Sequence, residues 1–405
     1  MRKSKTIINL ILAFVFSFSV LFPVNGAIVY YGSLQVHFLD VGQGDCSIIK
    51  LPDGKTVIVD AGNNYTSSKQ KILDYIEKNF KIKYFDYAII THTDADHCGG
   101  IKDVLSKYPA KTIYRPNVIA NNSGFVDPAI ALTQNASLDD NLKFWSLSGA
   151  DIKVKSNDSP AYKNFIEQAY KSFTKNNTTF TPQVIVSDGR IIDRPQGKPS
   201  QDIKGDDYSI TFYSPLKPTY DDSNDYSNIF ILEFKGFEFF FSGDAEKKAE
   251  EDFVKTYADF EFDIDVFKLG HHGSRTSSSA DLLELVTKES KRNQIFAVAS
   301  CGKGNSYGHP HKEVLDRLLD LGFLEENILR TDTVGDIVFE VKADNLGNYS
   351  LNYKDTSIPV DQNDFWKFFE DLYNNSPEIF YIVIGIIIVL GIAAVVIVYR
   401  QKSKK

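Results

Sequence analysis

The stretch Y-A-I-I-T-H-T-D-A-D-H-C-G-G, Tyr87 to Gly100, decides how the rest of the chain is read. Its first residues are apolar and β-branched, which predicts a buried strand ending at Thr91. His92, Asp94, Asp96 and His97 follow, four side chains able to ligate a metal within six residues. Gly99 and Gly100 come next, and the amphipathic run from Ile101 to Tyr108 predicts a helix. A rigid strand therefore delivers a short loop crowded with imidazole and carboxylate. Asp94 and Asp96 repel each other there unless a cation sits among these groups. Mixed nitrogen and oxygen donors suit zinc, manganese or iron better than calcium or magnesium.

The chain has 405 residues, room for one large domain or two ordinary ones, and an apolar fraction of 43% that can fill a substantial core. Residues 1–26 read as a signal peptide, with Arg2, Lys3 and Lys5 before the apolar run Ile7 to Phe22 and small residues Val24 and Gly26 before Ala27. An uncleaved anchor is the alternative. Ile379 to Tyr399 carries no charge and is long enough to span a bilayer as a helix. Arg400, Lys402, Lys404 and Lys405 make residues 400–405 a basic cytoplasmic tail. The expectation is a single-pass protein of a bacterial cell membrane, with its catalytic part outside and residues 356–378 as an aromatic-rich juxtamembrane linker. The two ends hold seven basic and no acidic residues, so a net charge of −8 for the whole becomes about −15 for the part between them. Such a surface repels nucleic acid unless a local basic strip or bound metals overcome it. Cys46, Cys98 and Cys301 are odd in number, far apart and without a C-x-x-C pair, so they read as small buried residues.

Between the ends the pattern alternates strand and helix, which indicates an α/β fold with a mixed sheet. Leu34–Leu39, Ser47–Lys50 and Thr56–Val59 read as strands, the last ending in Asp60, before a helix over Ser67 to Phe80. Residues 115–205 are rich in Asn, Ser, Thr and Lys, and read as an insertion over the site. Regular strands then return and end in Ser242-Gly243-Asp244, in Gly270-His271-His272-Gly273-Ser274 and in Cys301-Gly302 before His309 and His311. Six of the seven histidines thus fall at strand exits, and His37 alone sits inside a strand pattern as a core or edge residue. Strand exits along one edge of an α/β sheet are where such folds build sites.

This ordered set resembles the metallo-β-lactamase superfamily over residues 33–355, and within it the hydrolase domain of ComEC-type DNA-uptake (competence) proteins. The resemblance rests on L-D-V-G-Q-G-D (Leu39–Asp45), V-D-A-G-N (Val59–Asn63), T-H-T-D-A-D-H-C-G-G (Thr91–Gly100), S-G-D-A-E (Ser242–Glu246), L-G-H-H-G-S-R-T-S (Leu269–Ser277) and N-S-Y-G-H-P-H (Asn305–His311). It implies a four-layer αββα sandwich over residues 27–355 with two divalent metals, zinc or manganese. It also implies His92, Asp94, Asp96, His97, Asp244 and His271 as ligands, with Asp244 bridging. Asp94 stands where the superfamily pattern usually has a second histidine, and Asn224–Asn228 stands where another histidine is usual, so the metal position of His92 and Asp94 is the poorer one. Asp60 is expected to hold the ligand loop from behind. Asp45, Gln43, Ser227, Ser274 and His311 are expected behind the ligands or against substrate.

Asp96, His272 and His309 are the expected catalytic groups: Asp96 to orient a metal-activated hydroxide, His272 to contact a phosphate or leaving group, and His309 to protonate the leaving group or supply a ligand. Three functions fit these residues. The first is a surface phosphodiesterase or nuclease. The second is a cell-envelope esterase or phosphodiesterase acting on wall or phosphocholine-type polymers, which the acidic surface favours. The third is a non-catalytic binding module on the same scaffold, which the full ligand set disfavours.

Overall fold

The computed structural model describes residues 32–122, 125–126, 155–175, 178–187, 202–217, 220–344 and 346–355. The expected signal peptide (1–26), linker (356–378), transmembrane helix (379–399) and basic tail (400–405) lie outside the described residues. Among the described residues no helix is long and apolar enough to cross a membrane.

Strand Thr56–Val59 shows why the layers stack. Successive side chains of a strand point to opposite faces, and here both directions are apolar. Val57 and Val59 join a cluster with Phe212, Phe230 and Phe241, whereas Ile58 joins another with Ile72, Ile76 and Val104. Strand Phe237–Phe241 repeats the pattern. Phe239 and Phe241 face inward, and Phe240 packs outward with Phe253 and Leu282. Two sheets therefore share one apolar interior, and helices cover each outer face. This is the expected αββα arrangement.

The first sheet has eight strands in the order Gln183–Val186, Ala110–Arg115, Phe85–Ile89, Thr56–Val59, Ser47–Lys50, Leu34–Phe38, Ile337–Ala343 and Tyr349–Asp355. Its first four strands are mutually parallel and the rest pair antiparallel. In the second sheet, strands Phe237–Phe241, Ile264–Lys268, Phe296–Ala299 and Ile328–Arg330 are parallel. Parallel neighbours need a crossover, usually helical. Helices Thr66–Asn79, Ile101–Lys107, Pro160–Ala169, Lys247–Thr256, Ala280–Val286 and Lys312–Asp320 lie in these crossovers. Each crossover returns the chain to the same edge, so the C-terminal ends of these strands line up there. The residues that follow them are the ones the sequence singled out.

The described parts of segment 115–205 are built into the fold. Gln183–Val186 extends the first sheet by pairing with Ala110–Arg115. Helix Pro160–Ala169 buries Tyr162, Phe165, Ile166 and Ala169 against Ile101 and Val104. Those four positions make an i, i+3, i+4, i+7 stripe, which is a core-facing pattern. The segment meets the site loop where Asn157 Nδ2 donates to Thr93 Oγ1 at 2.8 Å. The strand expected near Ile191 lies outside the described residues. The three cysteines are buried and free. His37 is buried, with Nδ1 2.8 Å from the Tyr75 hydroxyl, and burial pushes its pKa down to about 4, which keeps it neutral.

Because Phe165 is fully buried in this helix face, Phe165→Ala is expected to destabilise the fold by about 3–5 kcal/mol. Urea unfolding monitored by far-UV circular dichroism checks this; a loss under about 1 kcal/mol would return the segment to the status of a peripheral insertion.

Candidate metal centre

The site is built from the strand exits upward. After Val59 the chain turns at Asp60, whose φ is +56°, and its carboxylate swings to the next exit. Asp60 Oδ1 accepts from the Thr91 backbone N–H at 2.8 Å, and Oδ2 accepts from Thr91 Oγ1 at 2.6 Å and from His97 Nδ1 at 2.8 Å. One carboxylate thus fixes the strand end and aims the His97 ring. The second sheet is joined to this loop by Asn228, whose N–H donates to Thr91 O at 3.0 Å and whose side chain donates to Ile90 O at 2.9 Å. Gly243 passes so close that a Cβ there would lie 2.7 Å from Thr91 Cβ, and its φ is +52°, so only glycine suits the position. Ser227 Oγ accepts from the Asp244 N–H at 3.1 Å and holds that residue at the sheet edge.

Four imidazoles then face Asp244 with the same end. His97 Nδ1 is occupied by Asp60, His271 Nδ1 by Glu246 Oε1 at 3.0 Å, His272 Nδ1 by the Ser300 carbonyl at 2.9 Å, and His92 Nδ1 by Thr91 Oγ1 at 3.1 Å. Each Nδ1 has an acceptor, which turns each Nε2 toward Asp244. His97 Nε2 lies 3.1 Å from Asp244 Oδ1, while Nε2 of His92, His271 and His272 each lie 3.6 Å from Asp244 Oδ2. His97 Nε2 and His272 Nε2 are 3.3 Å apart, and Asp96 Oδ2 is 3.3 Å from His272 Nε2. Donors about 2.1 Å from one ion lie about 3–3.5 Å from each other, so these spacings fit shared cations. The buried atoms His92 Nε2 and Asp244 Oδ1 have no hydrogen-bond partner, a cost that a cation would remove. Asp45, His97, Asp244 and His272 form a buried group with donor atoms within 4.8 Å of one another. The donor set fits divalent metal ions on these grounds.

The electrostatics agree. Burial disfavours a charged His272, but Asp244 and Asp45 outweigh it and raise its pKa to about 10. Burial likewise opposes a charged His97, and Asp244 and Asp60 hold it well above the usual value. Burial would raise the Asp244 carboxyl, yet His97 and His272 hold it well below the usual range. The carboxylates thus favour protons on His97 and His272, a role that bound cations would take over.

Adjacent histidines can both face one point only if the backbone twists. His271 (φ +48°) and His272 (φ +57°) are both left-handed, a costly conformation of about 1–3 kcal/mol each outside glycine. The twist splays the two rings 6.0 Å apart and brings both to Asp244. Their placement differs from the expected division of labour. His272, expected only to contact substrate, is buried among Asp96, His97 and Asp244, whereas His271 reaches Asp244 from a side chain that is 25% exposed.

The remaining expected residues separate. Asp94 precedes helix Ala95–Cys98, and its carboxylate takes a 3.5 Å contact from Thr93 Oγ1 rather than one from the histidines. Asp45 lies in the buried group, with Oδ1 3.3 Å from His272 Nδ1. Gln43 Oε1 accepts from the Gly302 N–H at 3.2 Å and its amide lies 3.5 Å from His309 Nδ1. The His309 ring is 5.5 Å from that of His271 and 6.0 Å from that of His272, at the rim of the group. His311 Nδ1 accepts from the Arg275 N–H at 3.0 Å, which ties two loops together, and its ring lies 4.8 Å from that of His309. Ser274 Oγ pairs with Thr276 Oγ1 at 2.9 Å, and Thr276 Oγ1 donates at 3.0 Å to the Glu246 Oε1 that holds His271. Two residues were missed. Glu246 holds His271, and its place inside S-G-D-A-E was the available signal. Lys268 is buried at the foot of the group, and a lysine closing the apolar run I-D-V-F-K was the other.

Asp60→Asn keeps the size of the side chain but removes the charge that His97 Nδ1 and Thr91 Oγ1 share. Metal affinity is expected to fall ~10-fold or more with the fold intact. Isothermal titration with zinc and a thermal melt check this, and an unchanged affinity would make Asp60 a turn residue only.

Comparisons with known proteins point the same way. The profile described as Metallo-beta-lactamase superfamily matches residues 39–293. "ComE operon protein 3" of Bacillus subtilis (strain 168) is 24% identical over 331 residues, which is 78% of this chain and 34% of that protein. "Recombination protein 2" of Haemophilus influenzae is 24% identical over 290 residues, 70% of this chain and 26% of that protein. "Competence protein ComA" of Neisseria gonorrhoeae is 33% identical over 154 residues, 37% of this chain and 21% of that protein. The chain spans about a third or less of the length of these relatives. Among solved structures, the metallo-β-lactamase SMB-1 bound to 2-mercaptoethanesulfonate is 14% identical, covering 60% of this chain and 80% of that chain with a TM-score of 0.33. The family match spans more than half of the chain and takes in Asp45, Asp60, His92, Asp96, His97, Asp244, His271 and His272. Members of this family are metal-dependent hydrolases, and this chain belongs to the metallo-β-lactamase superfamily.

Proposed function

We propose that the chain is a metal-dependent phosphodiesterase, a nuclease of the ComEC-like type. We further propose that residues 379–399 anchor it in the cell membrane with its catalytic part outside. The convergence of four Nε2 atoms on the Asp244 carboxylate carries the hydrolase reading. Its supposed occupants are two divalent transition-metal ions, zinc or manganese, with Asp244 between them. Such ions, when bound, act as Lewis acids on a phosphoryl oxygen and lower the pKa of water.

The chain's own groups do the rest. His97, His272, Asp96 and Asp244 form one donor set, and His92 and His271 face Asp244 from its other sides. Burial would raise the Asp96 carboxyl, but His272 and His97 bring it below its ordinary value, so Asp96 stays ionised. With a side chain 25% exposed, it is placed to accept a proton from an attacking water. Burial and the neighbouring His272 and His271 push His309 down to about 4. A neutral His309 suits hydrogen bonding to substrate, or proton acceptance, better than donation to a leaving group.

The names of the similar proteins, which speak of competence and recombination, support a nucleic-acid phosphodiester as substrate. The acidic surface supports a second reading, a phosphodiester or ester of a cell-envelope polymer. A panel of single-stranded DNA, RNA, bis-p-nitrophenyl phosphate and a choline phosphodiester separates the two. Cleavage of the nucleic acids is the expected outcome, and cleavage of the choline ester alone would favour the second reading.

Two further outcomes are expected. Asp244→Ala abolishes hydrolysis and sharply lowers metal content, whereas His92→Ala keeps one ion and part of the activity. Metal analysis and turnover on both variants check this ranking, which fails if Asp244→Ala keeps two ions and normal turnover. For topology, protease added to intact cells is expected to remove the bulk of the protein, and a protected catalytic part would contradict the external placement.

A further inference from the structure

Lys268 is a charged side chain that the proposed chemistry leaves unused. It ends strand Ile264–Lys268, and its side chain is only 3% exposed. Burying an ammonium is costly unless it is paired and hydrogen-bonded. Its Nζ lies 2.7 Å from Asp45 Oδ2 and donates to the Leu269 carbonyl at 3.1 Å.

Asp45 in turn touches the imidazoles from behind. Its Oδ1 is 3.3 Å from His272 Nδ1, and its Oδ2 is 4.0 Å from His97 Nδ1. These are the ring nitrogens that point away from Asp244. The Asp45 N–H also donates to the Asp96 carbonyl at 3.0 Å, and the Asp45 carbonyl accepts from the Gly62 N–H at 2.7 Å. The backbone of Asp45 is therefore fixed, and the direction of its carboxylate depends on Lys268.

We propose that Lys268 is a positioning residue for the cation site, acting through Asp45 on the ring of His272. By holding Oδ2, it keeps the charge of Oδ1, which has no hydrogen bond of its own, 3.3 Å from His272 Nδ1, whose N–H is given to the Ser300 carbonyl. The ring then keeps Nε2 toward Asp96 and Asp244. Asp45 and Lys268 thus stand behind His272 through charge, whereas Asp60 holds His97 by a 2.8 Å hydrogen bond. This inference rests on the reading of the group as a cation site.

The sign of the effect is diagnostic. A lysine acting only through its charge would repel cations, so Lys268→Met would then tighten metal binding. A positioning lysine predicts the reverse. The test is cobalt(II) titration of the full chain, read by the visible absorption bands that report ligand geometry, for wild type, Lys268→Met, Asp45→Asn and the double variant. Each single variant is expected to bind about 10–100-fold more weakly with shifted bands, and the double variant to bind no more weakly than the worse single one. Should Lys268→Met not fold, Asp45→Asn and the double variant suffice. Removing Lys268 after Asp45 is neutralised is expected to change affinity less than about 2-fold. Wild-type affinity and bands in Lys268→Met, tighter binding in it, or additive losses in the double variant would overturn the proposal. A wild type that takes up no cobalt would instead remove the cation-site reading beneath it.

Discussion

Everything at this sheet edge depends on one electrostatic constraint. The Asp244 carboxylate is 2% exposed and meets four imidazole Nε2 atoms, of which the buried His92 Nε2 has no hydrogen-bond partner. Without positive charge among them, lone pairs and carboxylates crowded this tightly repel in a medium that screens poorly. Protons meet the need in part, which is why His97 and His272 are held above their ordinary values. Cations at about 2.1 Å from each donor would meet it better and would leave no orphaned atom. The surrounding structure is arranged to maintain this crowding. Each ring is clamped at Nδ1, two consecutive histidines adopt left-handed backbone, and Gly243 gives the passage that lets Asp244 approach.

The layered fold makes that arrangement rigid. The site draws on both sheets, and each sheet is apolar on both faces. Moving Asp60 relative to Asp244 would shear the shared interior, where Phe38, Phe230 and Phe241 stack between the sheets. The loop that carries His271 and His272 has its own clamp. Glu250 accepts from the N–H groups of Ser278 and Ser279 at 2.6 and 2.8 Å, while Arg317 donates to the carbonyls of Ser277 and Ser278 at 3.0 and 2.6 Å. Strained backbone persists where its surroundings over-determine it, and this loop is such a place.

The fold was legible because apolar runs of strand length end abruptly in Asp, His or Gly, so strand exits and chemistry coincide in the sequence. The helix expected over Ser67 to Phe80 is Thr66–Asn79, and Thr56–Val59 has the bounds expected of it. What was not legible depends on backbone angles or on partners far away in sequence. The order H-H cannot say which ring turns inward; the φ values of His271 and His272 decide it. Asp45 was expected near the ligands, but its partner Lys268 lies 223 positions later and no local pattern joins the two. The average polarity of residues 115–205 hid the core stripe of Tyr162, Phe165, Ile166 and Ala169.

The central claim is that the Asp244 carboxylate lies between two divalent cations held by these histidines. Anomalous X-ray scattering from crystals loaded with zinc or manganese, collected on both sides of the metal absorption edge, tests it directly. The account predicts two anomalous peaks flanking Asp244. One lies against Nε2 of His97 and His272 with Asp96, and the other lies against Nε2 of His92 and His271. A loaded crystal with no anomalous peak beside Asp244 would contradict the account.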